Sequence, residues 1–282
     1  MTDTTEQTSK LISYWLRHNP GDGGLVIDDF GWTSINELLV SLNSKNIEID
    51  LQSLNRLNKN FDKVRWEIDA ANNKIRATHG HSFPVLLNDK VKTPPETLFH
   101  GTSTKNVIKI AKEGLVQMDR QFVHLSETVE TAISVGKRHG KPILIEIDTE
   151  RLTKQDWKFY QTSDNVWLTS NIPVKYLSFR PWFPINEKSN YGLDELKRET
   201  GDRTSHFLYP HLNDLNMVWQ SSASDDTLFQ DYKTGECFMV HLTYTKKKQE
   251  VEGWPYIEKY KTIDEWIEKG LYIDQQKFYD LK

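Results

Sequence analysis

The hydrophobic period of the chain changes at the proline-bearing connector VKTPPET, residues 91–97, and no single layer of helices or strands accommodates what lies on both sides of it. Before the connector, apolar side chains recur at helical spacing. Leu11, Ile12, Trp15 and Leu16 form one buried stripe, which Pro20 and the glycines at 21, 23 and 24 terminate. GWTSINELLVSLNSK predicts a second helix, with Thr33 or Ser34 as N-cap and Glu37 on the capping-box side. Leu51, Leu54 and Leu57 of DLQSLNRLNKN predict a short third helix. VRWEID and KIRATHG then alternate as strands around the turn AANN, which is the pattern of a hairpin.

Helices followed by a hairpin form the winged-helix arrangement, expected here over residues 1–92. That arrangement is common among nucleic-acid binders, although a fold alone does not fix a function. Beyond the connector, TLFHGT, QFVHLS, KPILIEID, NVWLTS and IPVKYLSF read as strands, with KNVIKIAKEGL and TVETAISVGKRHG as helices between them. The glycine fingerprint of a doubly wound dinucleotide fold is missing from this stretch, so a mixed α/β lobe is expected over 93–185. From about Ile185 the composition shifts toward Asn, Asp, Ser and aromatics. CFMVHLTYT alternates as a strand and TIDEWIEKGL predicts a short terminal helix opened by Thr262. Residues 186–282 are therefore read as a small α+β accessory domain of unknown role, with Trp219, Trp254 and Trp266 as core or interface aromatics and the KKK run at 246–248 as a solvated turn. The expected fold class is α+β throughout.

Composition narrows the function. With 37% hydrophobic and 27% charged residues the chain reads as soluble and globular, and no apolar run approaches the roughly 18 residues that would span a bilayer. The polar start MTDTTEQTSK reads as a frayed terminus and not as a signal peptide, so a cytoplasmic location is expected. The single cysteine, Cys237, excludes an internal disulfide framework and a multi-cysteine zinc site, and is read as a half-buried strand residue. A net charge of −4 argues against nonspecific coating of nucleic acid. Any RNA contact has to come from a local cluster of arginines.

Such a cluster is visible. The first helix stops at Arg17-His18, where a cation complements the negative helix end for purely local reasons. Recurrence argues for more than that, because Arg65, Arg76, His79 and His81 in the first lobe and His100, Arg120, His124 and Arg138 in the second crowd the ends of predicted elements. A scaffold presents functional groups to a cleft from such positions. The histidines lack zinc spacing, and no metal is expected.

The stretches SKLISYWLRHNP, GLVIDDFGW, DKVRWEI, IRATHGHS, LFHGTS, RQFVHLS, VGKRHGKPILIEID and NVWLTSNIPVKYL occur in order over residues 9 to about 180. Together they resemble the RNA 2′-phosphotransferase family of the KptA type, whose members remove a 2′-phosphate from RNA splice junctions with NAD. The resemblance implies a winged-helix RNA lobe, an ADP-ribosyltransferase-like NAD lobe, RNA bearing a 2′-phosphate as substrate and NAD as a consumed co-substrate. It implies a catalytic quartet of Arg17, His18, Arg65 and Arg138, with Arg17-His18 projecting into a cleft between the lobes. His100, Gly101 and Thr102 match the stretch with which ADP-ribosyltransferase relatives hold the NAD ribose and nicotinamide amide, with Gly101 letting the backbone approach the ligand. Ser126 is placed beside that pocket and Arg120 near the pyrophosphate; His81 and Ser82 contact RNA phosphate or order the cleft. The chain departs from the family pattern at Thr78, where glutamine is usual.

The implied chemistry suits these residue types. The 2′-phosphate attacks the anomeric carbon of the nicotinamide ribose, and the neighbouring 2″-hydroxyl then attacks the phosphodiester, releasing 2′-OH RNA and ADP-ribose 1″,2″-cyclic phosphate. The nucleophile is already anionic, so what is required is positioning, which guanidinium groups supply by gripping phosphate oxygens in a fixed fork. Arg17 and Arg65 are assigned to the 2′-phosphate and Arg138 to the migrating phosphate. His18 is a hydrogen-bond donor or a proton carrier. Two other readings stay open at this point: an ADP-ribosyltransferase that caps terminal phosphates of RNA or DNA, and a noncatalytic winged-helix binder.

Overall fold

The protein is described by a computed structural model covering residues 2–59, 64–185, 191–200, 206–244 and 255–281; the KKK run and Trp254 lie outside the described residues. In chain order the elements begin with α1 (Thr2–Arg17), β1 (Thr33–Ser34), α2 (Ile35–Ser44), α3 (Leu51–Lys59), β2 (Trp66–Asp69) and β3 (Lys74–Ala77). There follow β4 (Thr97–Ser103), α4 (Val107–Glu113), β5 (Val123–Ser126), α5 (Val129–Gly136), β6 (Pro142–Asp148), α6 (Thr149–Thr153), β7 (Phe159–Ser163), β8 (Val166–Thr169) and β9 (Leu177–Ser178). The last are β10 (Trp182–Pro184), α7 (Tyr191–Thr200), β11 (Leu215–Ser221), β12 (Asp226–Asp231), β13 (Cys237–His241), β14 (Tyr256–Tyr260), α8 (Ile263–Trp266) and α9 (Tyr272–Phe278), the last two joined by a π-helical turn, Ile267–Leu271. Helices combine with antiparallel strand pairs, so the expected α+β class holds.

The chain forms two compact units that interleave along the sequence. One comprises residues 1–94, 115–125 and 153–172; the other comprises 95–114, 126–152 and 173–282.

In the first unit, Ile12, Trp15 and Leu16 of α1 pack with Leu38 and Leu42 of α2, Leu54 of α3 and Trp66 of β2. This is the stripe that the helical spacing predicts. The helix begins at Thr2 and not near residue 9, because the buried stripe lets the polar start propagate as helix, aided by the Lys10–Glu6 ion pair at 2.7 Å. It ends where Pro20–Gly23 turns back, with Asn19 Oδ1 accepting from Asp22 N at 3.3 Å and Trp15 Nε1 donating to Asp22 Oδ2 at 2.7 Å. Ser34 caps α2 by accepting from Glu37 N at 3.3 Å. The small sheet has the order β1-β3-β2, with Trp66 opposite Ala77 and Thr33 opposite Ile75.

In the second unit, β6 runs between β4 and β9, and its pairing with β4 extends from Thr97 opposite Asp148 to Ser103 opposite Pro142. The stretch IPVKYLSF departs from its expected strand: Pro173 leads a 3-10 turn, Val174–Tyr176, and leaves only the two-residue β9, since proline offers no ladder N–H. A further antiparallel sheet, in the order β10-β11-β12-β13-β14, packs Phe229, Phe238 and Val240 against Leu196 of α7. Trp219 and Trp266 are buried with ring centroids 5.3 Å apart, in keeping with core aromatics. Cys237 is fully buried on β13, more deeply than expected, and burial pushes its thiol up to about 12.

A Cβ at Gly101 would meet the carbonyl oxygen of Ala132 in α5 at 1.7 Å, so glycine is what lets α5 lie directly on β4. Gly101→Ala is expected to destabilise the protein by about 3 kcal/mol or more, since backbone and not a flexible side chain blocks the added methyl. Thermal or denaturant unfolding checks this; an unchanged midpoint would contradict the packing described.

Candidate active site

Arg17 closes the last turn of α1, a position that leaves its carbonyl without a helical partner. Ser82 supplies the partner, donating to Arg17 O from its backbone N at 2.9 Å and from Oγ at 3.3 Å. The guanidinium Nη2 donates to the main-chain carbonyl of Arg65 at 3.1 Å, while Nε is buried without a hydrogen-bond partner among the described residues. Gly80, held at φ +87°, lets the chain turn past this side chain; a Cβ there would stand 3.7 Å from Arg17 Cδ.

Arg65 is fixed from several sides. Its Nη1 donates to the fully buried Ser9 Oγ at 2.9 Å, and its backbone N donates to Asn58 Oδ1 at 3.0 Å. Thr78, the departure from the family pattern, donates its hydroxyl to Arg65 O at 3.3 Å and lies 3.0 Å from His79 Nδ1. His79 in turn stands edge-on to His124 with centroids 5.7 Å apart. Arg76 belongs elsewhere: it is buried against Glu67 at 2.9 Å and Asp89 at 2.6 Å, and its guanidinium lies 4.4 Å from the centre of the Trp32 ring. It braces the hairpin and is neutralised by its carboxylates.

The electrostatics of the first unit are those of like charges brought together. Burial lowers the Arg17 pKa to about 10, and the nearby cations Arg65 and Arg120 push in the same direction. Arg17 therefore stays charged at neutral pH. His18, exposed beside it, is lowered below the ordinary imidazole value by partial burial, then by Arg17 and Arg120, and is mostly neutral at pH 7. His81 is 5% exposed, packs edge-on against Phe83, and is lowered to about 4 by burial, then by Arg17, Arg76 and His18. Its Nε2 is buried without a hydrogen-bond partner. A small cavity beside it is lined by Gly80, Val85, Gln121 and His124. An anion entering this cluster would relieve the mutual repulsion and raise the His18 pKa.

In the second unit, His100 and Thr102 share one face of β4, and Gly101 faces α5. His100 is half-buried; Thr102 is buried, with Oγ1 accepting from Asn106 Nδ2 at 3.1 Å. Ser126 pairs across from Phe99, one residue from His100. Arg138 is exposed on the 3-10 turn Lys137–His139 that follows α5. Thus Arg17, His18, Arg65, Arg120, His81 and Ser82 belong to the first unit, and His100, Gly101, Thr102, Ser126 and Arg138 to the second. Among the described residues, no cluster of His, Cys, Asp and Glu is placed to hold a metal ion, and no helix is long and apolar enough to cross a membrane.

A family model, RNA 2′-phosphotransferase, Tpt1 / KptA family, matches residues 3–171. The chain belongs to this family. A probable RNA 2′-phosphotransferase of Fusobacterium nucleatum is 41% identical over 178 residues, which are 63% of this chain and 99% of that protein. One of Acetivibrio thermocellus is 43% identical over 174 residues, 61% of this chain and 94% of the relative. One of Flavobacterium johnsoniae is 41% identical over 172 residues, 61% and 94% respectively. The resemblance read from the motifs is thus borne out at the level of the family.

Sequence reasoning passed over Ser9 and Asn58 and marked Thr78 only as a departure from the family pattern; all three hold Arg65. Their contacts span 56, 7 and 13 positions, and no helical or strand period links them.

The buried His81 makes a pH prediction. Its folded pKa, about 4, lies below the ordinary value of 6.5, so protons bind the unfolded chain more readily. Stability is full above about pH 6.5 and falls by about 3 kcal/mol as pH drops toward 4. Denaturant unfolding across that range should show a shallower loss for His81→Gln than for the parent chain; parallel curves would contradict the assignment.

Proposed function

We propose that the protein removes an internal RNA 2′-phosphate by transferring it to the ADP-ribosyl group of NAD. The observation that carries this reading is the buried Arg17 Nε, unpartnered among the described residues and set near Arg65, Arg120 and His18 within the stretch that the family model matches. Cations assembled at a cost in desolvation and repulsion are preorganised for a highly charged oxyanion. The α1–α3 helices with the small β1-β3-β2 sheet support a winged-helix reading of the RNA-binding part. The ladder of β4 and β6, backed by α5, supports an ADP-ribosyltransferase-like reading of the NAD-binding part.

NAD supplies the electrophilic ribose and the leaving nicotinamide. On this chain, Arg17 and Arg65 grip the 2′-phosphate, the first through its unpartnered Nε and the second from a guanidinium anchored on Ser9. His18, depressed before substrate arrives and raised by the incoming anion, carries a proton in the second transfer or donates a hydrogen bond to phosphate. Arg138 meets the migrating phosphate. His100 and Thr102, on one face of β4, hold the ribose oxygens and the nicotinamide amide, with Ser126 beside them and Arg120 toward the pyrophosphate. His81, neutral and buried, and Ser82, bonded to Arg17 O, order the cation cluster. The direct transfer from one oxygen nucleophile to the next assigns no role to a metal.

Arg65→Ala should lower dephosphorylation of an internally 2′-phosphorylated oligonucleotide by roughly 100- to 1000-fold and leave NAD affinity nearly unchanged. Single-turnover assays with calorimetric NAD titration check both halves, and turnover close to that of the parent chain would refute the role. Mass analysis should find ADP-ribose 1″,2″-cyclic phosphate; accumulation of ADP-ribosylated RNA would point to a capping transferase instead.

A further inference from the structure

The family match ends at residue 171, and relatives covered over 99% and 94% of their lengths account for only 63% and 61% of this chain. The C-terminal helical segment lies wholly beyond that match, yet it is bonded to β6 and to Thr104 and Lys141, which flank the paired ends of β4 and β6. Gln275 of α9 is 0% exposed and its amide is bound to one residue: Leu144 N donates to Oε1 at 2.9 Å, and Nε2 donates to Leu144 O at 2.9 Å. Leu144 is the β6 residue opposite Gly101. On its other side, β9 pairs only with Glu146 and Ile147, so the Gln275 side chain completes the ladder where β9 does not reach.

Glu268 grips the end of the same β4–β6 ladder. It accepts from the Thr104 hydroxyl at 2.5 Å and pairs with Lys141 at 2.5 Å, while Thr104 N donates to Lys141 O at 3.1 Å. Thr104 directly follows β4. Lys141 directly precedes β6 and lies three positions after Arg138. A third tie, Tyr279 hydroxyl to Glu146 Oε1 at 2.8 Å, secures the far half of β6.

We propose that Gln275 and Glu268 are positioning residues for the phosphate transfer: Gln275 fixes β6, on which the strand carrying His100, Gly101 and Thr102 is paired, and Glu268 fixes the end of that strand at Thr104 and Lys141, three positions after Arg138. The proposal rests on the reading of that strand as the NAD site. An apolar side chain at 275 could fill the same volume, but it could not satisfy both main-chain groups of Leu144, and a shift of the strand by a fraction of an ångström is enough to degrade binding geometry.

The test uses the full chain with Gln275→Leu and, separately, Glu268→Ala. NAD KM and kcat are measured on a 2′-phosphorylated oligonucleotide, together with oligonucleotide affinity and thermal unfolding. Each folded variant should show the NAD KM raised by about 10-fold or more with oligonucleotide affinity unchanged. Folded variants with the parent NAD KM would overturn the proposal. Should Gln275→Leu fail to fold, Glu268→Ala decides alone, since the Glu268 side chain is 39% exposed. A parent chain that neither binds NAD nor consumes the oligonucleotide would overturn the reading of function, and this proposal with it.

Discussion

A half-buried guanidinium at the end of a helix, its Nε enclosed and another residue's main-chain carbonyl as its hydrogen-bond acceptor, is the constraint around which the first unit is arranged. Desolvation and neighbouring cations both act against the charge on Arg17, lowering its pKa to about 10. An arrangement optimised only for stability would pair such a group with a carboxylate, as the same unit does for Arg76 with Glu67 and Asp89. The contrast between these two arginines is what the proposed function builds on: Arg76 is paired inside the fold, and Arg17 is assigned to an external anion. The surrounding contacts hold both side chains: Ser82 satisfies the Arg17 carbonyl, Gly80 turns the chain beside it at φ +87°, and Ser9, Asn58 and Thr78 hold Arg65 in place.

The histidines acquire different roles from the same field. His81, enclosed and close to Arg17 and Arg76, is held neutral well below physiological pH and serves as an uncharged neighbour of the cluster. His18 is exposed and is lowered by partial burial and by Arg17 and Arg120, and a phosphate dianion beside it would act in the opposite direction. One environment thus sets two imidazoles apart without a carboxylate contact to either among the described residues.

Local rules made much of this legible in the sequence. The stripe of Ile12, Trp15 and Leu16, the Ser34 cap and the hairpin from Trp66 to Ala77 follow from period and capping, and the positions of Arg17, His18 and Arg65 follow from motif order. What escaped was side-chain bonding across long separations: Ser9 to Arg65 over 56 positions and Gln275 to Leu144 over 131. Gly101 shows a subtler limit. Read beside His100 and Thr102, the glycine suggests backbone approach to a ligand, whereas the place a side chain would take is filled by the Ala132 carbonyl. A glycine records that something comes close, and the sequence does not say from which element. The polar start and the Pro173 stretch differ from expectation for opposite reasons, the first because tertiary burial extends a helix, the second because proline shortens a strand.

The claim that carries the account is that the Arg17 Nε–H, buried and unpartnered, is the receptor for the RNA 2′-phosphate. Its side-chain resonance can be followed by nitrogen-detected NMR while an oligonucleotide with one internal 2′-phosphate is added, with the 2′-hydroxyl oligonucleotide of the same sequence as control. The account predicts a downfield shift and slowed solvent exchange of the Nε proton with the phosphorylated strand alone. Indistinguishable responses to the two strands would contradict it.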